Sequence, residues 1–97
     1  MSLPTTLFFL DEEGNQIKEV PFNVGWVMRY ESLAYRLMET IIENKETFQS
    51  CDTIMVYDYI ITKDFIVKCK DYPDFEQKLI AYCREEDIEW RKNHPKT

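Results

Sequence analysis

Residues 24–42 read VGWVMRYESLAYRLMETII, and the fold turns on how that stretch is read. Val27, Tyr30, Ala34, Leu37 and Ile41 recur at three- and four-residue steps, the spacing of one face of an α-helix. Leu, Met, Ala, Arg and Glu fill its middle, and all are good helix formers. Asn23, a strong N-cap residue type, stands directly before the run. A central helix is therefore expected over Val24–Ile42, its start weakened by about 1 kcal/mol by Gly25.

The apolar face of that helix is wide. At about 100° per residue, Arg29, Ser32, Arg36, Glu39, Thr40 and Glu43 gather on one narrow side, and apolar residues occupy an arc of about 220°. The arc runs from Leu33 through Leu37, Ile41, Ala34, Val27, Met38 and Ile42 to Tyr35 and Met28. A helix lying on one sheet needs about half of that. Cover on two sides is expected, from a sheet and from a second helix or a partner subunit. Met28, Tyr35 and Ile42, spaced seven apart, are the part of the arc that the sheet does not need. They are the first interface candidates. Glu31 falls inside the arc, where a buried carboxylate is costly unless paired. It is expected either near an open edge or beside a Lys or Arg.

Outward from the helix, Thr6–Leu10 (TLFFL) and Ile17–Phe22 (IKEVPF) flank a turn containing Gly14 and Asn15, a β-hairpin pattern. Pro21 lacks an amide donor and marks the end or edge of the second strand. Asn44–Asp52 is polar and breaks the helical pattern, with the helix end expected near Lys45–Phe48. Thr53–Ile61 (TIMVYDYII) reads as one long strand, Thr62-Lys63-Asp64 as a tight turn and Phe65–Lys70 (FIVKCK) as its partner. In that register Ile54, Val56, Ile60, Phe65, Val67 and Cys69 face the core. Met55, Tyr57, Tyr59 and Ile61 then share the other face with Lys68 and Lys70. Asp71-Tyr72-Pro73-Asp74 opens a second helix with Pro near its first position. Its apolar stripe is Phe75, Leu79, Tyr82, Cys83 and Trp90.

The expected architecture is α+β, in the order ββαββα: a mainly antiparallel four-stranded sheet with two helices packed on one face. A β-grasp-like arrangement, which shares the opening hairpin and helix, is the alternative. The 97 residues are read as a single domain, with tails at 1–5 and 93–97 and Met1-Ser2-Leu3 as a cloning remnant.

Composition excludes more than it names. A net charge of −6 disfavours nucleic acid and anionic membrane surfaces and permits a basic protein partner. Three widely spaced cysteines without a C-x-x-C point to free thiols in a reducing cytoplasm. Their spacing, with His94 as the single histidine, lacks the close ligand pairs of a structural zinc site, so no metal and no cofactor is expected. Two glycines, at 14 and 25, cannot build a phosphate-binding loop.

The leading functional expectation is a small acidic cytoplasmic domain, non-enzymatic, that binds protein through an aromatic and Met-rich interface. Its partner would be a second copy of itself, as a homodimer, or a basic protein. The interface candidates are Met28, Tyr35, Ile42, Tyr57 and Tyr59. A second expectation is a small-ligand or acid–base site built on a buried carboxylate, Glu31 or Asp58. A third is single-stranded nucleic-acid binding on Tyr57 and Tyr59 beside Lys68 and Lys70.

Overall fold

A computed structural model describes residues 4–25 and 29–94. Strands β1 (Thr5–Leu10) and β2 (Gln16–Phe22) form the first hairpin. Its turn is held by Asp11, whose Oδ1 accepts from the backbone amides of Glu13 (2.9 Å) and Asn15 (2.8 Å). Gly14 supplies the positive φ (83°) that the turn requires. Helix α1 (Tyr30–Glu43) follows, then the short α2 (Lys45–Ser50), the hairpin β3 (Thr53–Val56) and β4 (Tyr59–Thr62), the short α3 (Lys63–Val67) and the long α4 (Tyr72–Asn93). The four strands make one antiparallel sheet in the order β2-β1-β3-β4. This is the α+β fold expected, with two short helices added. β1 begins at Thr5 and α4 runs to Asn93.

One side of the sheet carries the core. Phe9 pairs with Ile54 and Ile54 with Ile61, so these buried side chains lie in a row across three strands. Leu7, Val56 and Tyr59 extend the row. α1 contributes Leu33, Leu37 and Ile41 to the same cluster, and α4 contributes Phe75, Leu79 and Cys83. The opposite side of the sheet shows half-buried Phe8 and Met55 and exposed Ile60.

Three boundaries differ from expectation. The central helix starts at Tyr30 rather than Val24. Gly25 has φ +100°, outside the helical range, and Asn23 Oδ1 accepts from the Gly25 amide (2.8 Å) in a local turn instead of capping the helix. At the far end the helix stops at Glu43, short of the end expected near Lys45–Phe48, and Asn44 (φ −120°, ψ 38°) separates it from α2, which occupies the polar stretch where the helical pattern breaks.

The third difference is the second hairpin. Thr53–Ile61 is two strands, not one, turning at Tyr57-Asp58 with Tyr57 at φ 53°. Thr62, expected in a turn, is the N-cap of α3, its Oγ1 accepting from the Phe65 amide (3.1 Å), so FIVKCK opens as a helix rather than a strand. The strand total remains four because the strand lost after the turn is replaced by the one split before it. α4 begins as expected, with Asp71 Oδ1 accepting from the Asp74 amide (2.9 Å).

Candidate interaction surface

α1 shows why the arc looked too wide. Its buried residues, Leu33, Ala34, Leu37, Thr40 and Ile41, use only the part that meets the sheet and α4. Along the remaining flank lie Glu31, Tyr35, Met38 and Ile42, at steps of four, three and four, one continuous stripe on a helix. Tyr35 is 59% exposed and Ile42 66%, with Met38 half-buried between them. Tyr72, at the first turn of α4, closes one side. Tyr35, Met38, Glu39, Ile42 and Tyr72 together line a shallow apolar groove of about 320 Å³.

Glu31 is exposed. It lies on the arc as expected, but that portion of the arc is open, so no burial follows and the buried-carboxylate reading fails there. Asp58 is exposed too, because it occupies the tip of the β3–β4 turn instead of mid-strand. The proposed carboxylate pocket is therefore not assembled from these two residues.

Of the interface candidates, the structure brings Tyr35 and Ile42 together. Met28 lies outside the described residues. Tyr57 is half-buried, its ring packed edge-on against Phe22 at 6.1 Å. Tyr59 is buried (5% exposed), because a two-residue turn reverses which face each later residue meets. The Tyr/Lys platform is likewise not formed. Tyr59 points inward, and Lys68 caps the C-terminus of α3, where its Nζ pairs with Asp64 at 2.8 Å.

Tyr59 belongs to a second constellation that residue patterning missed. Asp87, half-buried on α4, accepts from the Tyr59 hydroxyl at Oδ1 (2.8 Å) and from the Tyr30 hydroxyl at Oδ2. The Arg84 guanidinium lies 5.7 Å from the centre of the Tyr30 ring. Three elements, α1, β4 and α4, are clasped at one carboxylate. Asp87 stands four residues before Arg91, the spacing of an ordinary helical ion pair. Nothing local marks it as an acceptor for residues 57 and 28 positions away. On the same helix the i,i+4 pair Asp74–Lys78 forms at 3.0 Å.

The chemistry of the clasp is restrictive. Burial and then the Asp87 hydrogen bond push the pKa of Tyr59 above the ordinary tyrosine value; for Tyr30 the hydrogen bond leads and burial follows. Burial pushes the neighbouring Cys83 thiol up to about 12, with the Asp87 and Glu86 carboxylates adding to it. At neutral pH both hydroxyls and the thiol stay protonated, and the carboxylate is already occupied as an acceptor. The hollow beside it, about 470 Å³, is lined by Asp58, Asp87, Arg91 and exposed Trp90, which stacks on His94 at 4.4 Å. Trp90 was expected on the buried stripe. It lies near the end of a 22-residue helix, in a stretch where residues 88–94 are all exposed.

The cysteines carry a direct test. Cys51 and Cys83 are buried and Cys69 is half-buried, and burial raises all three thiols. A thiol reagent at neutral pH is expected to label Cys69 first and slowly, and Cys51 and Cys83 only after denaturation. Peptide mass mapping reads the order. Equal labelling of Cys83 in the native protein would contradict the packing of α4.

Among the described residues no group of three or more His, Cys, Asp or Glu side chains is placed to hold a metal ion. No described helix is long and apolar enough to cross a membrane. Compared with known proteins, the chain matches no family model, no curated protein and no solved structure.

Proposed function

We propose that this chain is a small acidic protein-interaction domain, non-enzymatic, that works through the outer flank of α1. The observation that carries this reading is the contiguous stripe of Tyr35, Met38 and Ile42 with Tyr72. Its two most exposed members present more than half of their surface to solvent. Single exposed apolar residues are ordinary on a protein surface, but a continuous run on one helix flank, bordered by charge, has the character of a protein interface. Three free thiols agree with a reducing compartment such as the cytoplasm.

Ile42→Asp is the test. Ile42 is two-thirds exposed, so the variant is expected to shift stability by no more than about 0.5 kcal/mol while placing a charge on the apolar stripe. The urea midpoint should be unchanged, and self-association or retention of a basic protein partner should fall at least tenfold. If the wild-type chain neither self-associates nor retains such a partner, the reading fails.

A further inference from the structure

We propose that the hollow beside the last turns of α4 receives an arginine side chain from a basic segment of a partner protein. α4 places Phe75, Leu79 and Cys83 in the core, and none of its residues after Cys83 is buried. Residues 84–93 therefore carry the helix about 15 Å past its last core residue. Trp90 stands seven residues after Cys83, two turns along the same face. It continues the core-facing stripe, but the sheet ends first. Tyr82 donates to the Ile60 carbonyl (2.6 Å) and Asp87 accepts from the Tyr59 hydroxyl (2.8 Å), so α4 runs toward the β3–β4 turn and is level with the first residue of β4 at Asp87. Trp90 lies beyond that level. It is 56% exposed, although His94 stacks on its ring.

This unpartnered end of the helix face borders the hollow of about 470 Å³, with Asp58 on the opposite wall at the turn. The volume lies within the range of sites that take a specific ligand. No residue of α1 lines it, so the site is separate from the apolar flank of that helix.

Charge selects the occupant. Four carboxylates line the hollow against the single guanidinium of Arg91, a net charge of −3, half of the chain's −6. Asp87 is engaged by its two tyrosines. Asp58, Glu86 and Glu89 are exposed, and none has an ion pair or side-chain hydrogen bond among the described residues. The other nearby cations do not cover the site. Arg84 lies over the Tyr30 ring, and Lys92 projects about 200° around the helix from Trp90.

The spread of these carboxylates distinguishes one cation from another. Among the described residues no acidic group is gathered closely enough to hold a metal ion. A guanidinium is planar and extended. It stacks on an indole and donates through several N–H groups to separate carboxylates, whereas a lysine ammonium is a compact point charge. An aromatic wall with dispersed acids therefore fits arginine best, and the negative lining opposes an acidic or nucleic-acid ligand.

The test is a titration of the full ¹⁵N-labelled chain with acetyl-Gly-Arg-Gly-Arg-Gly-amide at low salt. Amides of residues 86–94 and the Trp90 indole N–H should shift saturably, with Kd below about 1 mM. Trp90→Ala, at an exposed position, should weaken binding about fivefold, read at the backbone amides. The triple variant Asp58→Asn, Glu86→Gln, Glu89→Gln should weaken it at least tenfold, and Arg91→Gln should strengthen it. The lysine version of the peptide should bind several-fold more weakly, and the glutamate version should cause no shift. Ile42→Asp should bind the arginine peptide like the wild type.

Three results overturn the proposal: no saturable shift at residues 86–94, equal binding of the arginine and lysine peptides with no effect of Trp90→Ala, or loss of binding in Ile42→Asp. The second would mean attraction to a diffuse negative surface only. The third would place the peptide on α1. Failure at the hollow leaves the α1 flank untouched, because that reading is tested by self-association and partner retention in Ile42→Asp alone.

Discussion

Ile61→Ala is expected to destabilise the protein by about 2–5 kcal/mol, and Ile60→Ala by less than about 0.5 kcal/mol, although the two isoleucines are neighbours in one strand. Ile61 is 2% exposed and faces Ile54 across the β3–β4 ladder; Ile60 is 57% exposed on the open side of the sheet. Truncating Ile61 removes three carbon atoms from a packed row that includes Phe9 and Ile54, and the surroundings close only partly around the gap. A domain of this size has a total stability of roughly 5–15 kcal/mol, so the loss is a large share of the whole. The melting temperature should fall by at least about 8 °C for Ile61→Ala and stay within a few degrees for Ile60→Ala. Urea unfolding of the two variants measures the difference. The opposite ranking would restore an uninterrupted Thr53–Ile61 strand, in which Ile60 faces the core.

That reversal shows where the chain was legible and where it was not. Hydrophobic periodicity placed both long helices, the opening hairpin and a four-stranded antiparallel sheet. These rest on many residues agreeing with one another, and one misplaced boundary does not disturb them. The second hairpin rested on a single decision, the position of its turn. Tyr57-Asp58 has neither the Gly nor the Asn that normally occupies a positive-φ turn position, whereas Thr62-Lys63-Asp64 has the polar composition of a turn. The structure uses the latter as a helix cap and the former as the turn, with Tyr57 in the left-handed region at φ 53°. Moving the turn exchanged the faces of Tyr59, Ile60 and Ile61.

The same contrast holds for the sites. The excess width of the α1 arc was visible in the sequence because it is a property of one helix, and Tyr35 and Ile42 were identified from it. Glu31 lay on that arc as well, but its exposure depends on what fails to cover it, which one helix cannot reveal. The clasp at Asp87 depends on two tyrosines far away in the chain, brought to one carboxylate only by the crossing of α4 over α1 and β4. Tyr30 meets α4 near Asp87 and Tyr35 lines a groove with Tyr72, so the two helices run antiparallel. The clasp lies at one end of their contact and the apolar groove at the other. It therefore holds in place the helix whose outer flank forms the candidate interface.

Asp87→Ala should cost about 3 kcal/mol. The carboxylate accepts hydrogen bonds from two hydroxyls, and a bond to a charged acceptor contributes about 1.5–3 kcal/mol. The Tyr59 residue is only 5% exposed, so its hydroxyl is left with little access to water when the acceptor is removed. Tyr59→Phe removes the donor along with its requirement and should cost only about 1 kcal/mol. A double-mutant cycle should then find Asp87→Ala markedly less damaging in the Tyr59→Phe background. Additive costs would mean that the hydrogen bond carries no coupling.

The clasp also predicts a pH dependence with a definite sign. An unfolded tyrosine releases its proton near pH 10, while Tyr59 and Tyr30 hold theirs to higher pH in the native state. Above about pH 10 the unfolded chain binds fewer protons than the native one, and stability falls as pH rises. The contribution is complete below that value and is lost as pH climbs toward the native ionisation. Urea midpoints measured at about pH 8 and about pH 11 should therefore differ more for the wild type than for Tyr59→Phe, which has no hydroxyl to titrate at this position. An equal alkaline loss in both proteins would show that Tyr59 ionises as freely in the native state as in the unfolded chain, and that α1, β4 and α4 are not held together at Asp87.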